Sequence, residues 1–349
     1  MISIVVPTLG RTCLRTLLEA LGPLPARVEL IVVDDRPDRA VPLDLPPPAR
    51  MVAGSAAGPA AARNRGWQAA KHEWIAFLDD DVIPEPDWIA RLQDDLRSAP
   101  PRTGGVQGRV WVPLPSGRRP TDWERVTAGL ADGRWITADM AYRRAALIRT
   151  GGFDERLPRA FREDAELAHR VQRAGWRLAV GSRSIAHPVR PENSVVSLRT
   201  QRGNSDDALL RRLYGPRWRT LLDIPPGRRS RHAAITACLV TAVAIAAVRA
   251  VGGRRSRAWT VAGAVAAAGW AAGTAEFAAA RIAPGPRDRR EVTTMLLTSA
   301  VIPPLAIAHW VRGWFRWTGA RPLRDTPGGP LRVTAPTTAI TIPGGGVRR

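Results

Sequence analysis

The first 190 residues alternate short apolar runs with stretches whose apolar residues recur every three or four positions. The uninterrupted apolar runs predict strands at Ile2–Val6, Val28–Val33 and Trp74–Leu78. The helical spacing predicts helices at Thr12–Leu21, Pro59–Lys71, Asp87–Leu96 and Asp164–Ala174. Strands and helices that alternate in this order predict an α/β fold around a mostly parallel sheet with right-handed crossovers.

Weaker patterns complete this region. Trp135–Tyr142, Arg177–Val180 and Ser184–His187 are strand-like, and Gly175 is expected to end the helix that begins at Asp164. Pro113–Arg134 has little periodicity, so we predict a loop or an insertion there.

Polar side chains follow three of the predicted strands at the point where each strand ends. They are Pro7-Thr8, Asp34-Asp35 and Asp79-Asp80-Asp81. In parallel α/β sheets, ligands bind outside the carboxyl ends of the strands. The three segments are therefore expected to line one crevice.

The chain from residue 233 onward has a different pattern. Ala233–Val251, Ala258–Ala280 and Thr293–Val311 contain at most one charged residue each, and each is long enough to span a bilayer. The first two are rich in alanine, which inserts weakly, so buried or interfacial helices are the alternative. Tryptophans near the segment ends are typical of an aromatic belt. Both short connecting loops are basic, so another alternative places one segment in the interface.

The composition adds a strongly positive charge. The 349 residues carry a formal net charge of +21, and Lys71 is the only lysine, so arginine supplies nearly all of it. Between Arg199 and Arg257 there are 13 arginines and three acids. This basic stretch leads into the apolar segments, so an anionic membrane surface explains it better than nucleic acid. Simple solvation of an arginine-rich chain is the alternative.

The cysteines and the N-terminus exclude several classes of protein. Cys13 and Cys238 cannot build a disulfide framework or a cysteine-based zinc site. The start MISIVVPTLG lacks a basic leader, so we expect no secretory signal and a reducing, cytoplasmic setting for the N-terminal part. A secreted, disulfide-rich or collagen-like protein is excluded.

The run Asp79-Asp80-Asp81 is the clearest candidate for chemistry. Carboxylates that project from a strand end are hard oxygen ligands for Mg²⁺ or Mn²⁺, and such a cation also binds diphosphate oxygens. A solvated turn is the alternative. Arg63, on the helix that follows Gly58, is a candidate phosphate ligand through charge-assisted hydrogen bonds, or else a surface arginine.

A second cluster of candidates lies further along the chain. Glu163 and Asp164 lie in the first turn of a predicted helix, where an acid is a good N-terminal residue, and that role would account for one of the two. His187 ends the last strand-like run. A single histidine is more often structural than a ligand, but its place at the end of the α/β region makes it a candidate.

Seven features in a fixed order resemble the family 2 glycosyltransferases of the GT-A fold. They are ISIVVPTLGR, ELIVVDDRPD, GPAAARNRG, WIAFLDDDVIPEPDWI, ADMAYRR, GGFDERLPRAFREDAELAHRVQRAGW and the final His187. Each motif is weak alone, whereas the ordered set is specific, and it covers residues 2 to 190. The resemblance implies a Rossmann-like GT-A sheet, here followed by apolar C-terminal helices.

The resemblance also implies roles for individual residues. Those that would hold the nucleotide part of the donor are Pro7, Thr8, Asp35 and Arg63, with Asp80 facing the ribose or the sugar. Asp79 and Asp81 match the first and last positions of the family's DxD metal motif, and His187 would complete the metal site. Asp164 matches the general base.

The implied activity is an inverting, Mg²⁺- or Mn²⁺-dependent transfer of a sugar from a nucleotide-diphosphate donor to an acceptor hydroxyl. The apolar segments favour a lipid-linked or cell-envelope acceptor, with the catalytic domain on the cytoplasmic side of a membrane and no nucleic acid partner. Processive members carry Gln-x-x-Arg-Trp, and here Tyr214 replaces the glutamine before Arg217-Trp218, so we expect a single addition.

Two positions depart from the family pattern. Asp139 stands where many relatives have asparagine, and Arg36-Pro37 where many have Gly-Ser. Both are candidates for altering the choice of donor.

These features divide the chain into a catalytic domain (1–200), a basic linker (201–232), membrane-embedded helices (233–318) and a disordered tail (319–349). One alternative function is a nucleotidyltransferase acting on sugar phosphates, but such enzymes need a Gly-rich basic loop where this chain has PTLGRT. Another is a non-catalytic, arginine-rich binder of membranes or nucleic acid, which leaves the ordered carboxylates unexplained. The sequence does not predict the oligomeric state.

Overall fold

One sheet of eight strands organises the N-terminal part of the protein in the computed structural model, which describes residues 1–252 and 256–323. Its strands are β1 (Ile2–Thr8), β2 (Val28–Asp34), β3 (Arg50–Ala53), β4 (Trp74–Leu78), β5 (Ile83–Pro84), β6 (Thr103–Trp111), β7 (Asp139–Arg143) and β8 (Arg177–Ala186). The tail predicted to be disordered lies outside the described residues from 324 onward.

The helices alternate with these strands and then continue alone. They are α1 (Cys13–Leu21), α2 (Pro59–Ala69), α3 (Trp88–Arg97), α4 (Asp122–Ala128), α5 (Arg144–Thr150), α6 (Glu163–Arg173), α7 (Val196–Arg199), α8 (Asn204–Tyr214), α9 (Trp218–Leu221), α10 (Arg229–Ala250), α11 (Arg257–Ile282) and α12 (Arg289–Arg316). A 3₁₀ turn, Thr200–Gly203, joins α7 to α8.

The strand order is β3-β2-β1-β4-β7-β6-β8-β5. β3, β2, β1 and β4 are all parallel, as the alternating pattern predicts. The sheet is mixed beyond them, because β7 pairs antiparallel with both β4 and β6, while β6 and β8 are parallel. Four of the seven neighbouring strand pairs are therefore parallel.

Helices cover both faces of this sheet because successive strand residues point to opposite sides. On β1, Ile4 and Val6 pack with α1 and α3, whereas Val5 packs with α2, α5 and α6. The predicted apolar face of α1 is confirmed, since Leu14, Leu17, Leu18 and Leu21 are all buried. Each such leucine contributes about 1.5–3 kcal/mol by leaving water.

The predicted loop at Pro113–Arg134 contains a helix, α4. Its start is a capping box, in which the Thr121 hydroxyl accepts from the Glu124 amide and the Glu124 carboxylate accepts from the Thr121 amide. The two predicted strand-like runs, Arg177–Val180 and Ser184–His187, form a single strand, β8, which ends at Ala186. Its pairing with β6 shifts register between Gln107 and Arg109.

The segment 201–232, where the composition predicts a basic linker, forms α8 and α9. Their apolar residues Leu209, Leu210, Leu213 and Trp218 pack together with Leu157 of the N-terminal region. The arginines lie around this cluster, so charge counting alone did not reveal it.

The C-terminal part consists of three long helices. Two of them, α10 and α12, are long and apolar enough to cross a membrane by length and composition. α12 contains Pro303 and Pro304 within its length, and Ser256 and Asp288 accept hydrogen bonds from the first turns of α11 and α12.

A fully buried ion pair joins β7 to β8. The Asp139 carboxylate accepts from Arg183 Nε at 2.8 Å and from Trp88 Nε1 at 2.7 Å, and Arg183 also donates to the Val106 carbonyl at 2.7 Å. Asp139 therefore has a structural partner for each oxygen. The aspartate that replaces the family's asparagine at this position thus forms an ion pair inside the protein, and this pair accounts for the replacement without a contact to the donor.

Arg183 also binds Asp95 Oδ2 at 3.1 Å, so replacing Asp139 with alanine would remove one of its two carboxylate partners. It would also leave Arg183 Nε and Trp88 Nε1 without their acceptor. We expect Asp139→Ala to destabilise the protein by about 3 kcal/mol, because each buried donor left unsatisfied costs about 1–3 kcal/mol. Thermal unfolding of the full chain in detergent measures this. The matched control is Asp94→Ala, which removes an exposed pair with Arg97 and should cost about 0–1 kcal/mol. Equal losses in both variants would contradict the prediction.

Candidate active site

The carboxyl ends of β2, β1 and β4 meet at one edge of the sheet. The register pairs Thr8 with Asp34 and Val5 with Phe77, so the ends of β1 and β4 lie side by side. The Thr8 hydroxyl donates to Asp80 Oδ2 at 2.6 Å, which ties these two strand ends together. The structure thus gathers the three predicted polar segments at one edge.

Asp79, Asp81 and His187 form a group that could hold a metal ion. One ligand atom from each residue lies within 4.8 Å of the others. Asp79 and Asp81 follow β4 directly, and His187 follows β8, where its amide donates to the Trp111 carbonyl at 2.8 Å. The structure therefore brings together the three residues that the sequence proposes as metal ligands.

The donor set of this group fits a divalent cation. Two carboxylates and an imidazole suit Mn²⁺, and the carboxylate oxygens also suit Mg²⁺. Asp79 Oδ1 accepts from Arg63 Nη2 at 2.7 Å, and Asp81 Oδ2 lies 3.0 Å from Arg190 Nε. Each carboxylate is oriented by an arginine through one oxygen, so the other oxygen is a candidate ligand.

Arg190 was not predicted from the sequence. Its guanidinium is partly exposed and lies beside Asp81, at the edge where the metal group lies. Trp123 of α4 donates to the Arg190 carbonyl at 2.9 Å and helps to fix this loop. In the sequence, the position of Arg190 three residues after His187 was the signal that could have indicated its place beside the metal group.

Arg63 connects the metal group to α6. Its guanidinium donates to Asp79 Oδ1 at 2.7 Å and to Glu163 Oε1 at 2.8 Å, and its side chain is only 2% exposed. The sequence predicts a contact between Arg63 and the nucleotide. In the structure this guanidinium lies inside the protein, between two carboxylates, and its contact with a nucleotide stays a prediction.

Asp164, the predicted base, follows Glu163 in the first turn of α6. Burial raises the pKa of the Asp164 carboxyl, against the effect of its hydrogen bond from the Ala165 amide and of the nearby Arg63. Burial also raises the pKa of Glu163, which the Asp164 charge reinforces and Arg63 opposes. The two neighbouring acids therefore titrate in an environment that favours their neutral forms.

Asp80 faces the first loop. It accepts from Thr8, and Arg11 Nη1 lies 3.4 Å from its other oxygen. Burial raises the pKa of Asp80, although the Thr8 hydrogen bond opposes this effect. Asp80 thus holds the β1 loop and does not belong to the metal group.

Asp35 stabilises the loop before α2. Its two oxygens accept from the amides of Ala56, at 2.7 Å, and Gly58, at 3.1 Å. The preceding Asp34 is bound by both nitrogens of the Arg36 fork, at 2.9 and 2.8 Å. Arg36, the second departure from the family pattern, therefore stabilises the end of β2.

The loop that leads to Asp164 is attached to α8. Arg159 Nη1 donates to both oxygens of Asp206, at 2.6 and 2.8 Å, and Arg162 Nε lies 3.7 Å from Asp207. Arg162 has a φ of 76°, a left-handed conformation that is costly for a residue with a side chain. The two buried aspartates hold this strained loop in place.

Two further contacts attach the same region to its neighbours. The Tyr214 hydroxyl donates to Glu166 Oε1 of α6 at 2.6 Å. Asn64 of α2 exchanges hydrogen bonds of 2.9 Å with the backbone of Phe153, and a Cβ at Gly152, whose φ is 74°, would collide with the Asn64 side chain.

Trp218 is buried, so it presents no stacking surface for a sugar chain.

Comparison with known proteins identifies the domain. Residues 3–148 match the model of Glycosyl transferase family 2. The mixed sheet with carboxylates at the ends of its parallel strands is the GT-A fold. The match covers 146 of the 349 residues, so this part of the chain is a glycosyltransferase domain similar to family 2. A comparison with curated protein sequences gives no match.

Several solved structures are similar to this chain at low sequence identity. S. aureus TarS is 16% identical over 63% of this chain and 42% of its own length, with a TM-score of 0.37. A mycobacterial protein is 19% identical over 65% of this chain and 76% of its own, with a TM-score of 0.45. Glucosyl-3-phosphoglycerate synthase from Mycobacterium tuberculosis, in complex with Mn²⁺, UDP-glucose and phosphoglyceric acid, is 19% identical over 65% and 81%, with a TM-score of 0.41.

The metal group can be tested without any substrate. We expect Asp81→Asn and His187→Ala each to weaken Mn²⁺ binding by about tenfold or more, because each removes one of three ligands. Calorimetric titration of the full chain with MnCl₂ measures this. Asp87→Asn, at an exposed acid just beyond the run, is the control. Unchanged Mn²⁺ affinity in both site variants would refute this metal group.

The Arg63 bridge gives a second prediction. Arg63→Lys keeps the charge but lacks the fork that reaches two carboxylates at once. We therefore expect weaker Mn²⁺ binding together with a loss of stability, measured by calorimetry and thermal unfolding. Arg65→Lys, at an exposed position two residues on in α2, should change neither quantity. A fully stable Arg63→Lys variant with unchanged Mn²⁺ affinity would contradict the proposed bridge.

Proposed function

We propose that this protein transfers a sugar from a nucleotide-diphosphate donor to an acceptor hydroxyl, with inversion at the anomeric carbon. The family of its N-terminal domain supports sugar transfer. The observation that carries the proposal furthest is the chain of contacts Asp79–Arg63–Glu163, which leads from the metal group to the residue next to Asp164. A cation site and a candidate base are thereby fixed in one crevice.

The donor would bind at the edge where β1, β2 and β4 end. Pro7, Thr8, Asp35 and Asp80 are proposed to form the wall for the base and ribose, although Asp35 and Asp80 also hold loops there. Asp79, Asp81 and His187 would hold Mn²⁺ or Mg²⁺. Such a cation, when bound, neutralises negative charge on a leaving diphosphate. Arg190 offers a second positive charge beside it.

Asp164 is the proposed general base. As a carboxylate it would accept the proton of the attacking acceptor hydroxyl, and its raised pKa makes it a stronger base than an exposed aspartate. Arg63 acts as a positioning residue, because it fixes the orientation of Glu163 and Asp79 on either side of the crevice. Attack from the side opposite the leaving diphosphate inverts the anomeric carbon without a covalent enzyme intermediate.

The acceptor is proposed to be a lipid-linked or cell-envelope glycan. The apolar helices α10–α12 follow the catalytic domain after the short helices α8 and α9. α8 binds the loop before Asp164 through the contact between Arg159 and Asp206. A head group at the membrane surface would therefore lie near the crevice, with the domain on the cytoplasmic side. Since Tyr214 is engaged with Glu166 and Trp218 is buried, we propose a single addition rather than chain extension.

A donor screen tests this function. Full-length protein in detergent is incubated with Mn²⁺ or Mg²⁺ and a panel of UDP-, GDP- and dTDP-sugars, and release of nucleoside diphosphate is followed. We expect turnover of one donor, abolished by chelation of the cation. Asp164→Asn should lower the rate by about 10²–10⁴-fold through loss of the base, and Asp81→Asn should lower it through loss of a metal ligand.

The controls separate chemistry from folding. Asp87→Asn should keep the wild-type rate, and thermal unfolding checks that each variant is folded. In wild type the rate should fall as the pH is lowered through the pKa of Asp164, which lies above the ordinary range of aspartate. If no donor binds in the presence of a cation, sugar transfer is refuted. A rate unchanged in Asp164→Asn would remove only the assignment of the base.

A further inference from the structure

Helices α10 and α11 pack against each other as a hairpin, and α12 packs against both of them. Glycines of α11 allow the close approach of the two helices. A Cβ at Gly273 would lie 2.6 Å from Ile235 Cγ1, and one at Gly269 would lie 3.0 Å from Cys238 Sγ. The contact continues toward the far end, where Gly263 lies against Ile245. The two helices therefore pack along most of their length.

The outer surface of this hairpin is apolar and uncovered. Only 11% of the most apolar window of α10 is buried inside the protein. Five valines on the two helices are 46–67% exposed, namely Val240, Val243, Val248, Val261 and Val265. An apolar surface of this extent on a lone chain marks an interaction site.

Charged residues divide the hairpin into bands. At its base, Arg228 and Arg231 pair with Glu276 across the two helices. At its far end lie Arg249 and Arg257. Between these bands, residues 232–248 of α10 and 258–275 of α11 contain no Asp, Glu, Lys or Arg.

The uncharged band has the dimensions of a bilayer. Its 17 and 18 residues span about 25–27 Å at the helical rise, close to the roughly 30 Å of a hydrocarbon core. Trp259 lies at the far end and is 39% exposed, as is usual for tryptophan at a membrane interface. α11 is rich in alanine, which inserts weakly, but its glycines face α10, so the two helices can enter as a pair.

α12 differs from this hairpin because both of its ends are held by the N-terminal domain. Glu291, in its first turn, accepts from the Asp122 amide at 2.8 Å. Just beyond its last turn, the Arg321 carbonyl accepts from Arg156 at 3.0 Å. Between them, Gly313 lies against the Ser205 backbone of α8. A helix tied to one domain at both ends cannot pass through a bilayer and leave that domain on one side.

We propose that α10 and α11 cross the membrane as a hairpin, with their connecting loop on the far side, while α12 lies along the membrane-facing side of the domain. The occupant of the apolar surface is thus a lipid bilayer. Orientation follows from the arginines near each end. Seven lie near the base (Arg228, Arg229, Arg231, Arg281, Arg287, Arg289, Arg290), whereas the sequence from 249 to 257, which joins the two helices, contains four. The base and the catalytic domain are therefore cytoplasmic.

Cysteine accessibility tests this topology. Cys13 and Cys238 are first replaced by alanine in the full-length chain, and single cysteines are then introduced by Ser256→Cys, Arg290→Cys, Arg316→Cys or Val243→Cys. Each variant is expressed in bacterial membranes, and a membrane-impermeant maleimide is applied to spheroplasts and to inside-out vesicles. The first three positions are exposed in the structure, so their labelling reports the side of the membrane.

The proposal predicts a distinct pattern. Arg290→Cys and Arg316→Cys should react only in inside-out vesicles, and Ser256→Cys only in spheroplasts. Val243→Cys should react in neither until detergent is added. Ser256→Cys labelled on the same side as Arg290→Cys would refute the crossing hairpin. Labelling of Arg290→Cys and Arg316→Cys from opposite sides would show that α12 crosses instead.

Two further outcomes separate the alternatives. If Val243→Cys is labelled without detergent, the surface faces water and the bilayer is excluded. If Val243→Cys instead forms a disulfide between chains in solution, a second copy covers the surface and the bilayer is excluded. The proposal rests on the membrane association in the proposed function, but not on sugar transfer. Labelling requires no turnover, so a chain that binds no donor in the presence of a cation but still shows the predicted pattern would refute the transferase and support the hairpin.

Discussion

The buried guanidinium of Arg63 is the interaction on which the candidate site depends. Glu163 is almost completely enclosed, and Asp79 lies at the open edge of the crevice. Taking charges out of water is costly unless each has a well-placed partner. A single planar fork donates one hydrogen bond to each acid and fixes the start of α6 relative to the end of β4. Without it, two segments separated by more than 80 residues would have no charged contact holding them together at this point.

Contacts inside the protein explain part of the high arginine content of the chain. Composition points to an anionic partner, yet several arginines act as cross-links inside the protein: Arg36, Arg63, Arg170, Arg183 and Arg281. Each binds a carboxylate at or next to one end of a strand or in the first turn of a helix. The arginines around the base of α10 and α11 are the ones whose position favours a membrane surface. Net charge therefore overstates the charge available for external partners.

Hydrophobic pattern was sufficient to predict β1, β2, β4 and the helices between them, since these elements are buried on a regular period. It failed where the pattern is interrupted. β6 contains three glycines, β3 is short and mostly exposed, and α4 was predicted as a loop although Thr121 and Glu124 carry a capping box. The end of a predicted strand located Asp79 and Asp81 in the sequence, and the start of a predicted helix located Asp164. The burial of Arg63 and the approach of Arg190 to Asp81 depend on contacts over long sequence separations, which no local pattern encodes.

The attachment of α8 to the loop before Asp164 has a consequence for how such proteins can diversify. Asp206 and Asp207 lie beyond the residues that match the family, yet they hold the arginines of that loop, and α8 in turn packs on α12. The C-terminal part therefore stabilises the active-site loop and could not be replaced by another membrane segment without loss of these contacts. A recombination event that kept residues 1–200 and replaced the remainder would preserve every family motif and still release the active-site loop. Inheritance of the two parts as one unit follows from this shared scaffold.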